Sequence, residues 1–98
     1  MKINQIKKEH KLTFEIDGRI DTKTAPELEK ALDSAPEGIT DLVFDFEKVS
    51  YISSAGLRVL LKAQQQMNKQ GKMVILHAND DLMEIFEVTG FTDILTIK

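Results

Sequence analysis

Cysteine is missing altogether from the 98 residues, so neither a disulfide framework nor a thiolate metal site is available. That fits a reducing compartment, and the cytoplasm is the expected location. Histidine is nearly as scarce. His10 and His77 stand far apart, which argues against a metal enzyme and leaves no cofactor expected. No apolar run approaches the ~20 residues that cross a bilayer, and the N-terminus lacks a signal peptide's apolar core. Basic clusters are missing too: net charge is −3 and the longest basic run is Lys7-Lys8, whereas nucleic-acid binding rests on grouped Lys and Arg. Neither a membrane nor a nucleic acid is an expected partner. Repeats, low-complexity tracts and linkers are absent, so residues 1–98 read as a single domain.

What remains is an ordinary globular composition, 42% hydrophobic and 30% charged, enough for one core. Residues 2–8 carry Ile3 and Ile6 at broken parity, a weak strand suited to an edge or a bulge. Residues 11–17 alternate, with Leu12, Phe14 and Ile16 on one face, and predict a half-buried strand antiparallel to the first. Thr24 with Glu27 reads as a capping box, followed by Pro26 in the first turn and the stripe Leu28, Ala31, Leu32, Ala35. Leu42 to Phe46 predicts a core strand. Leu57, Leu60, Leu61 and Met67 predict the next helix, ended by Gly71 as a left-handed cap. Met73 to Leu76 runs continuously apolar, as in a strand covered on both faces. Asn79 or Asp80 caps a helix that Gly90 ends, and residues 93–98 form a last strand. The fold class is therefore α/β, a mixed β-sheet packed against helices in the order β-β-α-β-α-β-α-β.

Between the core strand and the long helix stand Ser53 and Ser54, the residue type that caps helices by accepting an orphan N–H. One serine is accounted for as a cap. The second, with Ala55 and Gly56 after it, is not, and a hydroxyl at a helix N-terminus is well placed to carry a phosphate. Gly56 lowers helix stability by up to ~1 kcal/mol relative to alanine, and its smallness suits close approach by a partner. Arg58, one turn on from Ser54, reads equally as a solvated arginine or as a partner for a phosphate or carboxylate. Asp21 reads from spacing as a solvated loop carboxylate, of interest only if its loop lies beside the serines.

A small serine hydrolase using Ser54 and His77 is the enzymatic alternative, with His77 expected at the same sheet edge as the serines. It lacks G-x-S-x-G and a complete nucleophile–base–orienter set, so an enzyme is not expected. Nucleotide binding has no G-x-x-x-x-G-K or G-x-G-x-x-G to support it.

The run Asp45-Phe46-Glu47-Lys48-Val49-Ser50-Tyr51-Ile52-Ser53-Ser54-Ala55-Gly56-Leu57 resembles the signature of bacterial anti-sigma factor antagonists, stand-alone members of the STAS family. Their pattern is approximately D-[LF]-x-x-[LV]-x-[YF]-[IM]-D-S-[ST]-G-L. Gly18-x-Ile20-Asp21 and Phe91-Thr92-Asp93-Ile94 also fit, so the resemblance covers nearly the whole chain. It implies a bacterial partner-switching regulator of transcription. The unphosphorylated form would bind an anti-sigma factor that is a serine kinase, phosphorylation at Ser54 would stop the binding, and a metal-dependent serine phosphatase would reverse it. Asp21, Thr22, Ser53, Ala55, Gly56 and Arg58 are the expected partner-binding residues. Two departures stand out: Ser53 occupies the family's usual aspartate position and is a rival acceptor, and Ala55 replaces a second hydroxyl. A non-switching STAS interaction module is the remaining alternative.

Overall fold

The alternation over residues 11–17 places Leu12, Phe14 and Ile16 on one side of a strand, and all three are buried. In the computed structural model, which describes residues 1–98, this strand is β2 (Lys11–Ile20), and β1 (Lys2–Lys8) pairs with it antiparallel. Helix α1 (Ala25–Asp33) crosses over to β3 (Asp41–Ile52), and α2 (Ser54–Gln70) crosses to β4 (Lys72–Leu76). Both crossovers join parallel neighbours, giving a four-stranded sheet in the order β1-β2-β3-β4. Right-handed connections that step across a sheet in one direction put their helices on one face. The core agrees, since it joins Phe14, Phe44, Phe46 and Ile75 to Leu28, Leu60, Met67 and Phe86. Helix α3 (Asp80–Val88) is tied to β3 by Asn79, whose Nδ2 donates to Val49 O at 3.2 Å while its Oδ1 accepts from Leu82 N at 2.8 Å.

Several local expectations change. Thr24 does not cap α1 with Glu27; its backbone is already helical and its hydroxyl turns back. The reciprocal pair lies three residues earlier: Asp21 Oδ1 accepts from Thr24 N at 3.0 Å, and Asp21 N donates to Thr24 Oγ1 at 2.8 Å. Gly71 is extended, at φ 170°, rather than left-handed. Its missing side chain matters because a Cβ there would overlap the Thr40 carbonyl. β4 is not covered on both faces, for Met73 and Ile75 are buried but Val74 and Leu76 only half so. The last strand shrinks to one parallel bridge, Ile75 with Ile97. A short 3-10 turn over Phe91–Asp93 takes its place, and Leu95 N donates to Phe91 O at 2.8 Å, which holds the chain folded until few residues remain.

Candidate functional site

β3 runs to Ile52, and its register sets Ile20 beside Ile52 at the sheet's C-terminal edge. One hydrogen bond then joins the two exits, Ser53 N to Ile20 O at 2.8 Å. The Asp21 loop therefore lies beside the serines, which is the condition the sequence left open.

The serines divide their work. Ser53 has extended backbone and is the N-cap of α2; its hydroxyl accepts from Gly56 N at 3.4 Å, and its carbonyl accepts from Leu57 N at 2.9 Å. Ser54 is the first helical residue and is exposed. No acidic side chain occupies the first turn of α2, so the positive helix end is not neutralised from within. Ala55 is half-buried against the core and Arg58 is exposed in the second turn. Thr22 is exposed in the neighbouring loop.

Gly56 requires a correction. It is buried, and a Cβ on it would stand 2.7 Å from both Ile20 Cγ2 and Ile52 Cγ1 and 3.2 Å from Ile20 O. Its smallness serves the docking of α2 onto the ends of β2 and β3, and it offers no surface to a partner.

Asp21 is far more constrained than a solvated loop carboxylate. Its Oδ1 accepts from Lys23 N and Thr24 N, each at 3.0 Å, and lies 3.2 Å from Thr24 Oγ1. The Thr24 N–H bond is the main influence holding its carboxyl below the usual carboxylate range; the Lys23 N–H and the Arg19 charge add to it, while partial burial opposes. Arg19 and Tyr51 were not picked out from the sequence. They are register partners, with Arg19 Cζ 4.5 Å from the Tyr51 ring centroid and Arg19 Nε 3.7 Å from Asp21 Oδ2. Only the β2–β3 pairing reveals them, because 32 positions separate them in the chain.

His77 does not join the serines. It follows Leu76, which pairs with Asp45 midway along β3, so Ser54 lies roughly 20 Å or more further on at ~3.3 Å per residue. Its Nδ1 is instead 2.9 Å from Asp45 Oδ1. That bond raises the His77 pKa above its ordinary value. On Asp45, burial pushes upward, but the His77 bond and the Glu47 N–H outweigh it and hold the carboxyl low. The two groups share Oδ1 with the Glu47 side chain nearby, their ligand atoms lying within 4.8 Å of one another, a set of donor types that could hold a divalent cation. A nucleophile–base–orienter set does not assemble, which removes the physical basis for the hydrolase alternative. No helix is long and apolar enough to cross a membrane.

Against known proteins, the STAS domain model matches residues 2–98. An anti-sigma-B factor antagonist of Listeria monocytogenes is 39% identical over 84 residues, covering 83% of this chain and 73% of that protein. Among solved structures, an anti-sigma factor antagonist from Mycobacterium paratuberculosis superposes with a TM-score of 0.81 at 23% identity, over 98% of this chain and 83% of that one. The Bacillus cell fate determinant SpoIIAA in its phosphorylated form gives 0.77 at 14% identity, over 99% and 91%. At such identities the structures speak for the fold, while the family model and the Listeria relative speak for descent. The chain belongs to the STAS domain family and is a relative of the bacterial anti-sigma factor antagonists.

Proposed function

We propose that this chain is an anti-sigma factor antagonist switched by phosphorylation of Ser54. Unphosphorylated, it binds an anti-sigma factor that is itself a serine kinase and so releases the sigma factor; a metal-dependent serine phosphatase removes the phosphate and returns the chain to the binding form. The observation that carries the reading is the division of labour at the α2 N-terminus. Ser53 spends its hydroxyl on the cap, and Ser54 beside it stands exposed at an unneutralised helix end. A kinase needs an acceptor that is accessible without unfolding, and Ser54 meets that requirement better than Ser53. The Asp21–Thr24 turn and the Arg19–Tyr51 pair flank the same edge and supply fixed polar and aromatic contacts for a partner.

A phosphate adds about −1.5 to −2 charge, and at a helix N-terminus it is tolerated by the domain. Its effect is therefore felt across the interface, where forced like charges cost several kcal/mol. Ser54→Asp should abolish binding to the kinase while leaving the melting temperature unchanged or slightly raised, as calorimetry and a binding titration would show. Retained binding in that variant, or loss of binding only through unfolding, would refute the switch.

A further inference from the structure

The helices cover one face of the sheet and leave the other open. On the open face, where β4 ends beside β3, three metal-ligating side chains come together. Leu76 is the register partner of Asp45, and His77, the next residue, has left-handed backbone at φ 63°. Its ring lies against β3, with Nδ1 2.9 Å from Asp45 Oδ1. Glu47 reaches the same spot through an irregularity in β3: the register advances by two residues from Glu15 to Asp17 but by three from Asp45 to Lys48. Such a bulge re-aims a side chain. One ligand atom from each of the three lies within 4.8 Å of the others. Glu47 N donates to Asp45 Oδ1 at 3.1 Å, which helps to fix that carboxylate. No lysine or arginine pairs with Asp45 or Glu47, and His77 is the only cation within ion-pair distance of them. The two carboxylates also line a concavity of about 710 Å³, where with Glu15 and Asp17 they outnumber Lys2 and Lys48. The cluster is open to solvent and set in net negative charge, which draws cations.

We propose that Asp45, Glu47 and His77 form a binding site for a divalent transition-metal cation, with Zn²⁺ as the fitting member of that class. The donor set decides the class. One imidazole nitrogen with two carboxylate oxygens suits zinc and its neighbours, whereas Mg²⁺ and Ca²⁺ favour oxygen ligands throughout. With bonds of ~2.0–2.2 Å, neighbouring ligand atoms around such an ion stand roughly 3 Å apart. The His77–Asp45 pair already has that separation, and the exposed Glu47 closes the remainder by side-chain rotation. The ion takes the place of the proton on Nδ1, and water fills the positions that the three side chains leave. A cation held this way joins β3 to the segment that leads into α3, two residues before its cap Asn79. The signal escaped the sequence because 32 positions separate Asp45 from His77 and only strand register unites them. Ser54 lies far along the β3 exit, so the site is independent of the phosphorylation reading.

Calorimetric titration of the untagged full chain, first stripped with a chelator, tests this with zinc chloride and separately with magnesium chloride across the micromolar-to-millimolar range. Zinc should bind at one ion per chain, and magnesium ~10-fold or more weakly. In NMR spectra zinc should shift the imidazole signals of His77 and leave those of His10 in place. His77→Ala and Glu47→Gln, each folded by circular dichroism, should weaken zinc binding ~10-fold or more. His10→Ala and Ser54→Ala should bind zinc as the wild type does. Zinc that binds equally well in His77→Ala, or that is lost in His10→Ala, would be an adventitious ion only and would overturn the proposal. Absence of zinc binding, or wild-type affinity in Glu47→Gln, would overturn the three-ligand site as well.

Discussion

Gly56→Ala isolates the packing that brings α2 to the sheet edge. Helix propensity alone predicts a gain of up to ~1 kcal/mol, since alanine is favoured over glycine inside a helix. Packing predicts a loss. The added methyl would stand 2.7 Å from two carbons, on Ile20 and Ile52, and those side chains are 0% and 1% exposed. Enclosed in the core, they cannot swing out to solvent, and the Ile20 carbonyl at 3.2 Å closes the third direction. Overpacking costs ~1–3 kcal/mol, and three close contacts at once place this case in the upper half of that range, ~2–3, which leaves a net destabilisation of about 1–2 kcal/mol after the propensity gain. For a domain of this size that lowers the melting temperature by roughly 5–15 °C. Urea and thermal unfolding followed by circular dichroism measure it directly. Combination with Ile52→Ala should cost less than the two single losses added, because the methyl then has room. An unchanged or raised melting temperature in Gly56→Ala would refute the reasoning.

Other outcomes follow from the same geometry. Ser53→Ala removes the cap and should cost ~0.5–1 kcal/mol, at the low end because the 3.4 Å bond is long, whereas Ser54→Ala should stay within ~0.5 kcal/mol by the same unfolding measurement. His77, titrated by NMR, should show a pKa above 6.5 that falls back toward 6.5 in Asp45→Asn, and its bond should contribute to folding below that value and fade as pH rises through the raised pKa. Asp21 has the opposite sign. Its carboxyl is depressed, so the stability gap between wild type and Asp21→Asn should be full above the ordinary carboxylate range and close as pH falls through the depressed pKa, as melts across acid pH would reveal.

The residues that the sequence made legible are those whose pattern is local. The alternation of Leu12, Phe14 and Ile16 became core as expected, and of the helical set Leu57, Leu60, Leu61 and Met67 all but the half-buried Leu61 did so. The broken parity of Ile3 and Ile6 has a simple cause: Ile3 pairs with Ile16 on the core face, while Ile6 pairs with Thr13 on the open one. β3 extends well beyond Phe46 because register shifts between Glu15 and Arg19 reset its parity, letting Phe46, Val49 and Ile52 all reach the core. An apolar pattern read at period two stops at such a bulge. That extension also explains why His77 and Ser54 part company, since β4 ends while β3 continues. At the α2 N-terminus, the serine pair was visible but its division into a capping and an exposed hydroxyl was not; it depends on which hydroxyl meets the Gly56 N–H and where the helix begins. The Arg19–Tyr51 pair and the Asp21 turn depend on strand register and backbone direction, which no local spacing encodes.

The central claim, that the exposed hydroxyl at the start of α2 is the acceptor, is tested most directly by phosphopeptide mapping. The wild-type chain, Ser53→Ala and Ser54→Ala would each be incubated with ATP and an anti-sigma serine kinase from the same cell. The account predicts one phosphate on Ser54 in the wild type and in Ser53→Ala, and none in Ser54→Ala. A phosphate that maps to Ser53, or that persists when Ser54 is replaced, would contradict it.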